Sequence, residues 1–536
     1  MSLSNLSELL RYCRELESDK ATERKKAAEQ FRRLIHSAEV VQELDHTSGS
    51  NFQTGQGSRQ LTWDAVFRFL QRYVQRETES MQSGRPSASA SVLTTRQKKM
   101  AEMCSLIKYF IRRANKRGPR LKCSELLKHV TEVLQSPYSC AAYGEDYSSL
   151  LLKDILSVRK YWCDMAPQQW HNLLELYCCL FISPPKSVNC VLVSRVIHTL
   201  VHGCCMQTEG FHNTLFRFFP KVLLARQEKH LTLEHLVSAL NVFVRCVAPN
   251  YRMRVCQLGE ELTPALLRIW ADLRPSLALK DAMVDFFSLQ VCAHHPNGAR
   301  TQDAGAYAGD WSRWRNLLYN LYDALIREIS QISSRGKYAA GSRHVAVKEA
   351  LIELTAHICH QLFGDGGDTH GMEVTQGALR GSPSHKRRRM DLGWEVLREH
   401  LQPQQSDFDL IPWLQITAVL TSRRPSMLPG PELLPLLAAL HQLLAEQKRG
   451  ERGPYVLRCL EEVARCQAGY PDKAKGHRSE LSRLWARVCA LALRRVSFPQ
   501  TEAPSLDLLR AVVHGGLIGV DRELWKLLSG SACKPS

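Results

Sequence analysis

Leu16-Glu-Ser-Asp-Lys20-Ala-Thr-Glu23-Arg24-Lys-Lys-Ala-Ala28-Glu-Gln-Phe31-Arg-Arg-Leu34-Ile35 is the stretch whose periodicity decides the fold class. Wound as a helix, it brings Leu16, Lys20, Glu23, Ala27, Phe31 and Leu34 onto one face at three- and four-residue steps, and leaves Lys25, Lys26, Arg32 and Arg33 mostly elsewhere. The same step recurs outward along the chain. Trp63, Val66, Phe67, Leu70, Tyr73 and Val74 follow it, then Met103, Leu106, Ile107, Phe110 and Ile111, then Leu126, Leu127, Val130, Val133 and Leu134. Further on come Leu236, Ala239, Leu240, Phe243, Val244 and Val247, then Leu318, Leu321, Tyr322, Leu325 and Ile329, then Leu351, Leu354, Ile358 and Leu362. No stretch alternates β-branched residues with period two, as several strands would require, so the chain is predicted to be all-α.

The predicted helices run ten to eighteen residues and are joined by short Gly, Pro or polar breaks, the pattern of degenerate helical pairs. At ~40–47 residues per pair the length allows at most about a dozen HEAT-like units of a helical-repeat solenoid; a pair of compact helical bundles also satisfies the periodicity. Asn5 and Glu8 are placed to cap a first short helix, and Ser18-Asp19 to cap the one that carries the opening stretch. Thr47 to Gln60 and Ser83 to Thr95 read as polar loops, and Gly118-Pro119 as a helix break. Apolar periodicity vanishes from Gly364 and returns at Trp394. The predicted organisation is a solenoid over 1–363, a flexible basic linker over 364–392 and a continued solenoid over 393–536.

Lys and Arg outnumber Asp and Glu by 71 to 53, a net charge of +18 that favours acidic partners without choosing among nucleic acid, peptide and anionic surface. The opening residues lack the basic and apolar regions of a secretory signal, and no apolar run approaches a membrane span, so a soluble, intracellular protein is expected. The 18 cysteines are dispersed through helical patterns with no Cys-x-x-Cys, as small buried hydrophobes in a reducing compartment would be.

Residues that could carry chemistry are sparse. Protein kinases need a Gly-rich loop, a phosphate-binding lysine and a catalytic Asp and Asn, and Asp407-Phe408-Asp409 only approaches the metal-binding motif, with no catalytic loop upstream. His198-x3-His202 places two imidazoles on one helix face beside Cys204 and Cys205. Thr199 stands where zinc proteases have their glutamate, so a buried, hydrogen-bonded pair is expected instead of a metal site. His357 and His360 make a weaker case, and no cofactor or metal is expected to bind this chain.

Two basic segments are candidate contact surfaces. Arg96 to Lys122 holds ten Lys or Arg against one acid, Glu102, with Arg112, Arg113, Lys116, Arg117 and Arg120 as a candidate anion-binding face, either for a weak DNA contact or as ordinary capping on a solvated face. Lys386, Arg387, Arg388 and Arg389 form a compact cluster in the predicted linker, suited to nuclear import through an importin groove or else an ordinary solubilising charge run. The opening stretch adds Lys20 and the Glu23-Arg24 pair inside an apolar stripe. Charges so placed read either as a satisfied structural ion pair or as a partner surface.

The spacing Leu16-x3-Lys20-x2-Glu23-Arg24-x3-Ala28 resembles the TAN motif near the N-terminus of the ataxia telangiectasia mutated kinase family, departing from it at Ala28, where the family usually has a larger aliphatic residue. Leu61 to Leu70, Leu151 to Trp162, Ser334 to Tyr338, Pro454 to Cys459 and Gly530 to Cys533 are similar to the same family in the same order. The resemblance implies an N-terminal solenoid that docks a nuclease-containing DNA-break-sensor complex and kinase substrates. It also implies a nuclear, homodimeric full-length serine/threonine kinase acting in double-strand-break signalling, checkpoint control and telomere maintenance, whose ATP and divalent metal belong to a catalytic domain outside this chain. The alternative of another class is a free-standing helical-repeat adaptor or nucleic-acid-binding protein.

Overall fold

The computed structural model describes residues 2–49, 61–82, 98, 101–102, 105–113, 123–135, 145–156, 165–185, 188–207, 210–225, 230–272, 275–294, 311–334, 342–364, 393–423, 428–446, 451–474 and 476–518. Among them every regular element is helical. The chain divides into two compact units, Met1–Asn250 and Tyr251–Ser536.

In the first unit the helices are α1 (Ser2–Glu15), α2 (Ala21–Ile35), α3 (Ala38–Gly49), α4 (Trp63–Gln82), a short helix over 105–113, α5 (Cys123–Gln135), α6 (Pro167–Ile182), α7 (Cys190–Gln207), α8 (His212–Leu223) and α9 (His230–Val247). Neighbours in sequence are neighbours in space. α1 packs on α2, α3 and α4, α5 on α6, α6 on α7, and α7 along α9. Trp63, Val66, Phe67, Leu70, Tyr73 and Val74 are all buried on α4, as is the whole predicted stripe of α9 from Leu236 to Val247. Burying each large apolar side chain stabilises by roughly 1.5–3 kcal/mol. Where α7 crosses α6 only a glycine fits: a Cβ on Gly203 would lie 2.4 Å from the buried Trp170 ring.

The second unit shows the repeat most plainly. Its helices are α10 (Arg252–Asp272), α11 (Leu277–Ala293), α12 (Trp311–Ser334), α13 (Ser342–Gly364), α14 (Trp394–Glu399), α15 (Asp407–Arg423), α16 (Gly430–Ala445), α17 (Gly453–Gly469), α18 (Arg478–Arg495) and α19 (Glu502–His514). α11, α13, α15, α17 and α19 stack in one row, each on the next. In the other row α12 packs on α10, and α16 on both α14 and α18. Pairs such as α12 with α13 and α18 with α19 tie the rows together. A helix that touches its partner and the helix two places on is the contact rule of a helical-repeat solenoid, not of a closed bundle.

Three expectations change. The helical phase is not continuous from Leu16 into α2, because the chain turns between Glu15 and Ala21, so the buried face of α2 is Arg24, Ala27, Phe31 and Ile35, while Lys20 and Glu23 are exposed and Leu34 is half-buried. Thr47 lies in α3, a helix that the polar sequence after it conceals. Asn5, expected to cap the first helix, lies inside α1, which runs from Ser2; Pro220, Pro264, Pro412 and Pro435 also sit inside helices, held there by buried neighbours, as Pro264 is by Leu262 and Leu266. Residues 50–60, 83–97 and 365–392, which include nearly all the predicted linker with Lys386 to Arg389, lie outside the described residues. No described helix is long and apolar enough to cross a membrane.

Candidate functional site

α1 ends at Glu15, and three backbone bonds close the turn that follows, Leu16 N–H to Tyr12 O, Glu17 N–H to Arg14 O and Ser18 N–H to Glu15 O, at 2.9–3.1 Å. Leu16 drops its side chain into the core with no exposure. Lys20 then takes an extended conformation as the N-cap of α2. No side chain caps the helix from that position. The work falls to Ser18, whose Oγ accepts from the Lys20 N–H at 3.2 Å and donates to Glu23 Oε2 at 2.7 Å. This is a capping box displaced upstream, with the Glu23 carboxylate in the first turn, where the helix dipole favours it. Glu23 also accepts from Lys20 Nζ at 2.9 Å, and the Ser18 and Lys20 bonds hold its carboxyl below the usual carboxylate range.

Arg24 is the residue the turn closes around. Its Nε donates to Glu77 Oε1 on α4 at 2.7 Å, and its Nη1 donates to the carbonyls of Ser18 and Asp19 at 2.8 Å each. Arg24 is 6% exposed and Glu77 3%. One guanidinium therefore satisfies two backbone carbonyls of the turn and neutralises a carboxylate brought by a helix 53 residues away. Beside it, Arg72 donates to Glu17 Oε1 at 2.7 Å, and Arg76 to Asp19 Oδ1 at 3.1 Å and to the Glu17 carbonyl. Tyr73 lies buried next to them, and burial pushes its phenol above the ordinary tyrosine range, with Glu77 adding to the rise and Arg24 opposing it.

Of the five motif residues, Leu16 and Arg24 point inward, Lys20 and Glu23 pair in solvent, and Ala28 is half-buried on α2. The expected Glu23-Arg24 pair is not formed. Arg24 pairs with Glu77, because adjacent residues on a helix face different ways and only one of the two can enter the core. Glu77, Arg72 and Arg76 were missed by the motif. The available signal was Glu77 itself, a charge that extends the α4 stripe of Leu70, Tyr73 and Val74.

The other candidates come together less. Arg112 is held by Asp154 at 3.2 Å and Arg113 by Asp45 at 3.5 Å, so these two are already neutralised; Lys116, Arg117 and Arg120 lie outside the described residues. His198 is half-buried, and burial first, then His235 and His202, lower its proton affinity, while His235 shares a 3.0 Å bond with Ser194 Oγ. Among the described residues no three His, Cys, Asp or Glu are grouped to hold a metal ion. Buried thiols such as Cys13 and Cys359 are pushed up to about 12, the behaviour of small hydrophobes and not of nucleophiles.

Residues 9–171 match the sequence model of a family described as telomere-length maintenance and DNA damage repair. Along its whole length the chain is 49% identical to Serine-protein kinase ATM of Sus scrofa, and it spans 18% of that protein, at its N-terminal end. Solved structures similar to it include Kap121p, at 12% identity and a TM-score of 0.34 over 99% of this chain and 54% of that one. Another is a chain from the structure described as "A conserved phosphorylation switch controls the interaction between cadherin and beta-catenin in vitro and in vivo", at 12% identity and a TM-score of 0.32 over 94% and 99%. At such scores the fold class rests on the helix stacking itself.

Proposed function

We propose that this chain is the N-terminal region of a serine/threonine kinase of the ATM family and acts as a docking scaffold, engaging a DNA-break-sensor complex and substrate proteins for a catalytic domain that, with its ATP and divalent metal, lies elsewhere. The full-length protein is read as a nuclear homodimer in break signalling, checkpoint control and telomere maintenance, with Lys386 to Arg389 as its import cluster. The observation that carries the docking role is the Arg24 corner. Its polar groups are spent on each other and on backbone carbonyls, leaving no reactive group there to act on a substrate. A motif built this way acts by shape, fixing how α1, α2 and α4 are set against one another.

The test compares two substrates of the full-length kinase carrying Arg24→Ala. Phosphorylation of recruited substrates after DNA breakage, normalised to kinase abundance, is expected to fall, while phosphorylation of a short soluble peptide is expected to hold. Signal lost only in proportion to protein, or lost equally for both substrates, would overturn the docking role. Replacing Lys386 to Arg389 with alanines is expected to shift the chain towards the cytoplasm, and unchanged nuclear accumulation would remove the import assignment.

A further inference from the structure

The cations around the motif turn and on α2 differ in whether they are paired. Lys20, Arg24, Arg72, Arg76, Arg112 and Arg113 each have a carboxylate partner. Lys25, Lys26, Arg32 and Arg33 are exposed on α2, on the side away from Arg24, Ala27, Phe31 and Ile35, and none makes an ion pair or hydrogen bond among the described residues. One acid, Glu29, shares the face, since Glu23 is occupied by Ser18 and Lys20. The field there is felt locally: the exposed His36 has its proton affinity lowered, first by burial of its ring and then by Arg32.

A protein partner would need apolar anchors beside such charges, because aromatic and aliphatic side chains carry most of the energy of a protein interface. Among the described side chains no large exposed hydrophobic residue lies on α1, α2, α3 or α4, and the α2 face offers only the half-buried Ala28 and Leu34. Bare cations suit phosphates. Lys25 and Lys26 precede Arg32 and Arg33 by seven residues, about 10.5 Å along a helix, close to the ~12 Å width of the B-DNA major groove. The two pairs can therefore reach phosphates on opposite rims. We infer that the outer face of α2, through Lys25, Lys26, Arg32 and Arg33, binds the phosphate backbone of duplex DNA without regard to sequence. This rests on the charges of that face and not on the docking role.

The test is equilibrium binding of the full chain to a duplex of about 20 base pairs, followed by fluorescence anisotropy between about 50 and 200 mM salt. Four phosphate contacts contribute about −3.6 to the slope of log affinity against log salt, roughly a hundredfold loss over that range. The variant Lys25→Gln/Lys26→Gln/Arg32→Gln/Arg33→Gln is expected to keep its helical circular dichroism, to lose about 3–4 from the slope and to bind at least about tenfold more weakly at the low-salt end. Glu29→Gln, which removes the one acid, is expected to tighten binding. An unchanged slope and affinity in the quadruple variant would overturn the inference, and so would tighter binding to a polyglutamate peptide or to phosphatidylserine vesicles than to the duplex. If the quadruple variant loses helix, Glu29→Gln decides, and no tightening counts against the inference.

Discussion

Lys20 meets Glu23 at 2.9 Å and Arg24 meets Glu77 at 2.7 Å, so by distance the two ion pairs of the motif turn are alike. Their surroundings differ. The side chains of the first pair are 75% and 48% exposed, those of the second 7% and 4%. Water screens the exposed pair and competes for both partners, so little depends on it. The enclosed pair is not screened in this way: once one partner is gone, the other keeps its charge in the core without its ion-pair partner at 2.7 Å. The lesson is that a charged motif cannot be weighed by counting its charges, only by asking which of them water can reach.

That contrast can be broken in order of expected effect. Arg24→Ala takes the guanidinium from the buried Glu77 carboxylate and a donor from two turn carbonyls, and is expected to destabilise the first unit by about 3–5 kcal/mol, read from urea unfolding. A loss under about 1 kcal/mol would mean that Glu77 finds water and the pair is not enclosed.

A second test uses a buried group that can discharge, as an arginine cannot. His294 in the second unit stacks on Trp314 with centroids 3.6 Å apart, donates from Nδ1 to the Gln290 carbonyl at 2.8 Å and has Glu260 no nearer than 3.9 Å. Burial lowers its pKa to about 4, outweighing the rise from the Gln290 bond. The unfolded chain, with an ordinary histidine near 6.5, therefore binds the proton first as pH falls. The contribution is absent above about pH 7 and costs stability progressively from about 6.5 down to 4, by about 3 kcal/mol at the low end. His294→Gln should flatten the pH dependence of stability across that window, and an unchanged pH profile would show that His294 charges freely in the fold.

A smaller effect is expected from Arg24→Met/Glu77→Leu, which removes both charges together. The buried carboxylate disappears together with its arginine, but Ser18 and Asp19 still lose a donor, leaving a cost of about 1–2 kcal/mol. A double variant as unstable as Arg24→Ala would place the whole loss in the turn and none in the ion pair. Last, Lys20→Ala is expected to leave the melting temperature unchanged, and a measurable drop would mean that the Lys20 pair does more than its exposure allows.

Much of the fold was legible because burial follows period. Every residue of the predicted α4, α9 and α12 stripes is buried. What failed was phase across a break, since Leu16 and Phe31 are both buried yet belong to different stretches of backbone, and a helical wheel drawn through residues 16–20 puts Lys20 and Glu23 where Arg24 belongs. α3 was hidden for a related reason, its last turn, Thr47-Ser-Gly49, reading as loop. At the site, Arg24 was visible as a misplaced charge but its partner was not, because no local spacing encodes a contact with Glu77. Lys25, Lys26, Arg32 and Arg33 were visible too. That they are unpaired, while Arg112 and Arg113 are paired, is a fact of three dimensions.

The span from Arg24 to Glu77 also bears on how the chain can change over generations. Two positions that share one enclosed charge pair behave as a single heritable unit, since a lineage that alters one passes through a destabilised intermediate until the other follows. Substitutions at 24 and 77 should therefore appear together among relatives, with apolar residues arriving at both or at neither. Positions 20 and 23, joined only across water, should drift independently of each other.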